Sequence, residues 1–188
     1  MDTDSQISIL ESQIRELYGR VVWSHKTQEK CADIILKRHS RLKVGQISLS
    51  ALTTTGILVT VFGQVPFVGV TTAILSATLF GINAYSKDYD LGEIAQKHAT
   101  AASDLWNIRE AYLSLLTDLK TGRLKVEEIM LRRDELQDDL YNAYKGSPRT
   151  ISKAYNEATM ALHKNEELTF SDKELDKLLP PSLRKIIG

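Results

Sequence analysis

The stretch of sequence that decides the fold covers residues 44–86 and reads VGQISLSALTTTGILVTVFGQVPFVGVTTAILSATLFGINAYS. These 43 consecutive residues contain no Asp, Glu, Lys or Arg, although 26% of the whole chain is charged. The motif Gly63-Gln64-Val65-Pro66 near the middle predicts a tight turn, because glycine frees the backbone while proline fixes φ and lacks an N–H. The stretch therefore divides into two apolar segments, residues 47–65 and 67–85.

Each apolar segment has the length of a transmembrane helix. At a rise of ~1.5 Å per residue it spans ~28 Å, close to the ~30 Å hydrocarbon core of a bilayer. The connecting turn is uncharged, whereas basic residues flank the two segments: Lys37, Arg38, Arg41, Lys43 and Lys87. This charge pattern predicts a multi-pass membrane hairpin with both termini in the cytoplasm. The alternative is a pair of buried central helices in a soluble bundle, because both segments are rich in Thr and Ser.

Outside the hairpin the apolar residues repeat with helical spacing, so the sequence predicts an all-α fold. Before the hairpin, one long helix is expected from about residue 4 to the membrane. After it, we expect a helix ending at Gly122, a natural helix stop, and further helices over residues 125–145 and 150–165. Ser171 and Glu174 form an S-x-x-E capping box before a short helix over residues 174–179. The predicted domains are an N-terminal cytosolic helix (1–43), the hairpin (44–86), a cytosolic bundle (87–170) and a short C-terminal helix with its tail (171–188).

Two apolar seams with heptad spacing lie outside the hairpin. Their clearest members are Ile7, Leu10, Ile14, Leu17 and Val21 before it, and Leu105, Ile108 and Leu115 after it. The seams can pack against each other within one subunit or join subunits as a coiled coil. A two-span hairpin encloses no channel, so a permeation function would need several copies around an axis.

Both spans carry patterned small and polar residues. At 100° per residue, one arc of the first span contains Gln46, Ser50, Thr53, Thr60 and Gln64, which are our candidates for lining a pore. Such an arc is costly in lipid unless each hydroxyl bonds back to its own helix, so it should face water or another helix. The second span carries a small-xxx-small ladder with polar neighbours: Gly69, Thr72, Ala73, Ser76, Ala77, Gly81 and Asn83. Helix packing is the alternative function of every one of these positions.

The sequence offers no set of residues for catalysis, metal binding or cofactor binding. The four histidines are scattered, and His25 with Glu29 lacks the third partner that a metal site or a catalytic triad needs. Twenty-four basic residues balance 24 acidic ones, which argues against nucleic acid as a partner. We therefore predict a protein that is not an enzyme, with the lipid bilayer and copies of itself as its main partners.

The order of parts also resembles a known family. The most distinctive part is the stretch Leu17-Tyr18-Gly19-Arg20-Val21-Val22-Trp23-Ser24-His25-Lys26-Thr27-Gln28-Glu29-Lys30. It is followed by a group of basic residues, a paired hairpin and a helical C-terminal part. This arrangement is similar to that of the SLATT proteins of prokaryotic conflict systems. These are two-transmembrane effectors associated with nucleotide synthetases and with nucleotide-sensing SLOG domains. The resemblance implies a bacterial inner-membrane effector of abortive antiviral immunity, triggered by a separate synthetase, sensor or other defence protein. It supplies no catalytic residues.

Two functions remain in competition at this level. The first is a latent, self-assembling pore that permeabilises the membrane when triggered. The second is a membrane-anchored helical scaffold that recruits a cytosolic partner through residues 88–188, with the hairpin acting only as an anchor.

Overall fold

The computed structural model describes residues 3–63, 65 and 67–185. These residues form helices and connecting loops without any strand, as the sequence predicted for an all-α protein. The α-helices are α1 (Thr3–Phe62), α2 (Val68–Asp88), α3 (Leu91–Thr121), α4 (Val126–Gly146), α5 (Ser152–His163) and α6 (Asp172–Leu178). A short 3-10 helix, Pro181–Leu183, follows them.

Helix α1 is one uninterrupted helix of 60 residues, which at 1.5 Å per residue is about 90 Å long. It contains the expected N-terminal helix and residues 47–62 of the first apolar segment, which was predicted to continue to residue 65. The helix is continuous because no proline interrupts residues 3–62 and an internal glycine costs only about 1 kcal/mol. The helix ends at Phe62, where the Gly63 N–H donates to the Val59 carbonyl at 2.8 Å. Gln64 and Pro66 of the predicted turn lie outside the described residues.

The other helices begin and end at the residues that cap them. The Asp90 carboxylate accepts the Glu93 N–H at 3.0 Å at the start of α3, and Gly122 ends this helix with a left-handed φ of 65°. The predicted capping box is present at the start of α6, where the Ser171 N–H donates to Glu174 at 2.8 Å. Helices α4 and α5 begin and end within about two residues of the predicted bounds, which is the usual uncertainty of helix ends.

Helices α1, α3 and α4 form a bundle around one apolar core outside the hairpin. The members of this core are Leu10, Ile14, Leu17, Val21, Leu105, Ile108, Tyr112, Leu115, Leu119, Ile129 and Leu136. A smaller cluster of Cys31, Ile34 and Ala154 fixes α5 against the middle of α1. The N-terminal half of α1 thus packs in the bundle, and its C-terminal half forms the hairpin with α2.

The hairpin helices α1 and α2 leave most of their apolar surface uncovered. Both contain windows long and apolar enough to cross a membrane, and only 6% of each window is buried. The exposed side chains include Ile47, Leu52, Ile57, Phe62, Val70, Ile74 and Phe80. The central helices of a soluble bundle would bury such side chains, so the exposed surface favours a lipid environment over the soluble alternative.

Candidate functional site

The two hairpin helices lie close together at Gly56. A Cβ added to this glycine would overlap Thr72 Oγ1 and would lie 3.1 Å from Thr72 Cγ2 and 3.2 Å from Thr72 Cβ. Thr72 is buried by this contact, and Thr53, one turn before Gly56, is buried as well. The crossing therefore depends on a glycine that the sequence patterns did not single out, and Thr53 lies within the helix contact.

A hydrogen-bonded polar group joins the two helices nearer the bundle. The side-chain Nε2 of Gln46 donates to Asn83 Oδ1 and to Ser86 Oγ, each at 3.0 Å. An amide that donates twice across a helix pair fixes the register of the pair, since a shift of one turn would break both bonds. Two residues of the predicted polar patterns, Gln46 and Asn83, are thus brought together.

A groove of about 700 Å³ lies beside this group, on one side of the half of the hairpin nearer the bundle. Its lining combines polar and apolar side chains: Gln46, Ile47, Ser50, Ala51, Thr54, Thr55, Leu79 and Asn83. Ser50 is exposed on its wall. Thr54 and Thr55 belong to the same wall but lie outside the predicted arc. The arc was derived from one helix, whereas the groove lies between two helices and its lining depends on how they pack.

The threonine hydroxyls of the first span bond to their own helix. Thr53 donates to the Leu49 carbonyl at 2.8 Å, and Thr54 to Ser50 at 2.9 Å. Thr60 likewise donates to Gly56 at 2.8 Å. Back-bonding of this kind satisfies the hydroxyl donor inside a bilayer. The threonines therefore do not by themselves require water or a partner helix, whereas the Gln46 amide donates across the helix pair to Asn83.

The small-residue ladder of the second span is mostly outside the α1 contact. Gly69 lies near the Thr60 methyl group, but Ala73, Ala77 and Ser76 are exposed. A side chain added at Gly81 would meet nothing within 4 Å. A ladder that steps by four residues rotates by about 40° per step, so it turns away from the contact face. Gln64, the last candidate of the first span, lies outside the described residues.

The heptad seams pack together inside one chain. The predicted residues Leu10, Ile14, Leu17, Val21, Leu105, Ile108 and Leu115 are all buried in the bundle core, and Ile7 packs against its edge. The exposed faces of the same helices carry helical ion pairs such as Arg15–Glu11 and Lys97–Glu93. An assembly of several copies would therefore need surfaces other than the seams.

A second unusual region lies in the bundle, at four consecutive buried polar residues of α1: His25, Lys26, Thr27 and Gln28. Four residues in a row cover all sides of a helix, so α1 is enclosed here by α3, α5 and the loop that follows α5. Gln28 Nε2 donates to the Pro148 carbonyl at 3.3 Å, and its Oε1 lies 2.5 Å from His98 Nδ1. Because a carbonyl oxygen can only accept, His98 carries its proton on Nδ1.

The loop after α5 is tied to this region by an ion pair. Lys26 Nζ lies 2.8 Å from Glu167 Oε2 and 2.9 Å from Glu29 Oε2, and Lys30 Nζ lies 3.4 Å from the same Glu167 oxygen. Burial works to lower the pKa of Lys26, but the hydrogen bonds to Glu167 and Glu29 outweigh it and raise that pKa. The hydrogen bond from Lys26, followed by that from Asn165, lowers the pKa of Glu167 to about 2.

His25 lies beside this ion pair, at the wall of a cavity of about 570 Å³ between α1 and α3. Burial lowers its pKa, and the carboxylate of Glu29, 3.7 Å from Nε2, acts in the opposite direction. The sequence placed His25 and Glu29 together as a pair without a third partner, but it did not predict that the histidine is buried. Among the residues described, no group of three or more His, Cys, Asp and Glu is placed to hold a metal ion.

Comparison with protein-family models gives a match. No curated protein and no solved structure matches the chain. A family model described as "SMODS and SLOG-associating 2TM effector domain family 4" matches residues 10–174, which include the bundle helices and the apolar hairpin. Because this match covers most of the chain, the protein belongs to the SMODS and SLOG-associating 2TM effector domain family 4, a family of two-transmembrane effectors.

Proposed function

We propose that this membrane effector permeabilises the bacterial inner membrane by assembling several hairpins around a water-filled lumen, in an antiviral or conflict system. The observation that carries the proposal is the groove in the half of the hairpin nearer the bundle, where Gln46, Ser50, Thr54, Thr55 and Asn83 lie beside apolar side chains. A single hairpin leaves this groove open on one side. Several copies with their grooves turned inward would place these polar side chains around a shared path through that half of the membrane, as hydrophilic pore linings do.

The proposal changes the roles expected from the sequence for three threonines. Thr53 is buried against α2, so we assign it to helix packing. Ser50 and Gln46 keep their assignment to the lining, and Thr54 and Thr55 join them. The proposed topology keeps both termini in the cytoplasm, with the bundle beside the basic flanks of the hairpin.

The proposed assembly step would also keep the effector inactive until it is triggered. The seams of the bundle are buried within the chain, so an isolated subunit is folded without a partner. A trigger from a separate synthetase, sensor or other defence protein would act on the bundle, and α1 would transmit the change because it continues unbroken into the hairpin.

Dye release from liposomes that contain the full-length protein tests the lumen. The double variant Ser50→Ala/Thr54→Val removes two hydroxyls from the groove, and we expect it to insert normally but to lose most of the release. The matched control is Thr71→Val/Thr78→Val, since both hydroxyls are exposed on α2, bond back to their own helix and lie outside the groove lining.

Two results would contradict the pore. Equal losses in the two double variants would mean that hydroxyls matter for insertion and not for a lumen. Membranes that stay sealed at every protein density, in cells where the effector is active, would favour the membrane-anchored scaffold.

A further inference from the structure

A small cleft lies where the hairpin meets the bundle, on the side of the hairpin that carries the basic flanks. Its volume is about 220 Å³. It is formed by α1, by the end of α2 and by the turn into α3: His39, Leu42, Lys43, Gln46, Ser86, Tyr89, Asp90 and Leu91. Lys43 precedes the first predicted span by one helical turn, so this cleft lies at the depth of the lipid headgroups.

The cleft combines cationic and anionic groups. Lys43 makes no ion pair with any residue that the structure describes, and it lies with His39 on the α1 side. Asp90 lies on the opposite side, at the start of α3. Hydrogen bonds from the backbone N–H groups of Glu93 and Gly92, together with the charges of His39 and Lys43, hold the pKa of Asp90 below its usual value. The carboxylate is therefore charged at neutral pH.

A glycine lets these groups converge. A Cβ added to Gly92 would lie 3.1 Å from Asp90 Oδ1, 3.4 Å from His39 Cε1 and 3.5 Å from His39 Nε2. The imidazole thus lies against the first turn of α3, within the same small space as the carboxylate. Tyr89 stacks on Tyr85 with ring centroids 5.0 Å apart, and tyrosines are enriched at membrane interfaces.

We propose that this cleft binds the headgroup of a zwitterionic phospholipid that carries a primary ammonium, as phosphoethanolamine does. Lys43 and the Ser86 hydroxyl bind the phosphate, and Asp90 accepts hydrogen bonds from the ammonium. The volume equals that of about seven waters at ~30 Å³ each, enough for such a headgroup without its acyl chains. The cleft is separate from the groove, apart from Gln46, and the proposal needs only a membrane location, not a pore.

Native mass spectrometry of the delipidated full-length protein in detergent tests this site. Phosphatidylethanolamine, phosphatidylglycerol and phosphatidylcholine with identical acyl chains are added separately. We expect phosphatidylethanolamine to bind roughly fivefold more tightly than phosphatidylcholine, whose trimethylated nitrogen has no N–H to donate to Asp90. Free phosphoethanolamine, added in a parallel series, should bind far more weakly, because it lacks the membrane anchor.

The key variant is Asp90→Asn, because asparagine is as good an N-cap as aspartate and preserves the start of α3. It should abolish the preference for phosphatidylethanolamine over phosphatidylcholine, while its matched control Asp88→Asn, exposed and outside the cleft, should keep it. Lys43→Gln should weaken all three lipids roughly fivefold compared with Lys37→Gln.

The assignment would be overturned by equal affinity for the three lipids in the unmodified protein, or by an unchanged preference in Asp90→Asn. Binding of free phosphoethanolamine as tight as that of the lipid would overturn the lipid as the ligand. Loss of dye release in the groove variant with unchanged lipid selectivity would leave this proposal intact, so the two proposals are tested separately.

Discussion

Replacement of Gly56 by alanine should separate the two helices of the hairpin. The new Cβ would overlap Thr72 Oγ1, and it would lie 3.1 Å from Thr72 Cγ2, closer than the 3.4 Å at which ordinary contact begins. Rotation of the Thr72 side chain does not remove the conflict, because its Cβ remains at 3.2 Å. The helices must therefore move apart where Thr72 is now buried.

The size of the effect follows from two opposing contributions. Overpacking of a close contact costs about 1–3 kcal/mol, whereas alanine is favoured over glycine in a helix by up to about 1 kcal/mol. We expect a net loss of about 1–2 kcal/mol in the association of the helices, roughly a five- to thirtyfold change in its equilibrium constant. Gly81→Ala is the matched control, because it gives the same helix preference and meets nothing within 4 Å.

Energy transfer between fluorophores at Val44 and Lys87, at the same end of the hairpin, measures helix association as SDS is added to the detergent-solubilised protein. Cys31 is replaced by alanine in all variants so that labelling is specific. Thr72→Ala removes the hydroxyl and methyl groups that the new methyl group at position 56 would meet but keeps the Thr72 Cβ at 3.2 Å. It should therefore restore part of the association, through a coupling of about 0.5–3 kcal/mol. Equal transitions for Gly56→Ala and Gly81→Ala, or no rescue, would refute the close crossing.

Three further predictions concern the bundle. Glu167→Gln should raise the hydrogen-exchange rate of residues 164–170 up to about fivefold, because the ion pair with α1 is lost, while Glu166→Gln should not. Since the pKa of Glu167 is lowered to about 2, the stabilisation by this ion pair is present above pH ~4.5 and is lost as the pH falls towards 2. Burial lowers the pKa of His98, so the contribution of the neutral imidazole to the free energy of unfolding is complete above pH ~6.5 and decreases at lower pH. The melting temperature between pH 5 and 7 should therefore depend less on pH in His98→Gln. Leu17→Glu, at a buried core position, should destabilise the bundle by about 3–5 kcal/mol, whereas Ile9→Glu, on an exposed position of the same helix, should leave the melting temperature nearly unchanged.

The helices were predictable because their signals are local. The uncharged stretch, the heptad seams, the stop at Gly122 and the Ser171 capping box each depend on residues that are close in sequence, and the structure has a helix or a helix end at each. Length, hydrophobicity and the basic flanks predicted a membrane location but left the soluble bundle open. The uncovered apolar surface of the hairpin favours the membrane.

The details of the candidate sites could not be predicted, because they depend on how distant segments meet. The polar arc of the first span did not distinguish Thr53, buried against α2, from Ser50, which lines the groove. Gly56 became important only through Thr72 on the neighbouring helix. Glu167, the partner of Lys26, lies near the other end of the sequence, and no local pattern links the two.

The continuity of α1 also determines the order in which the protein can fold. The first half of the core, Leu10 to Val21, is synthesised long before its partners on α3, which begins at Leu91. At ~5–20 residues per second a ribosome needs several seconds to make the intervening chain, and this chain includes the hairpin. The seam of α1 therefore remains uncovered until α3 has been synthesised, which happens only after the hairpin. During that interval a second nascent α1, or a chaperone, can compete for the same apolar seam.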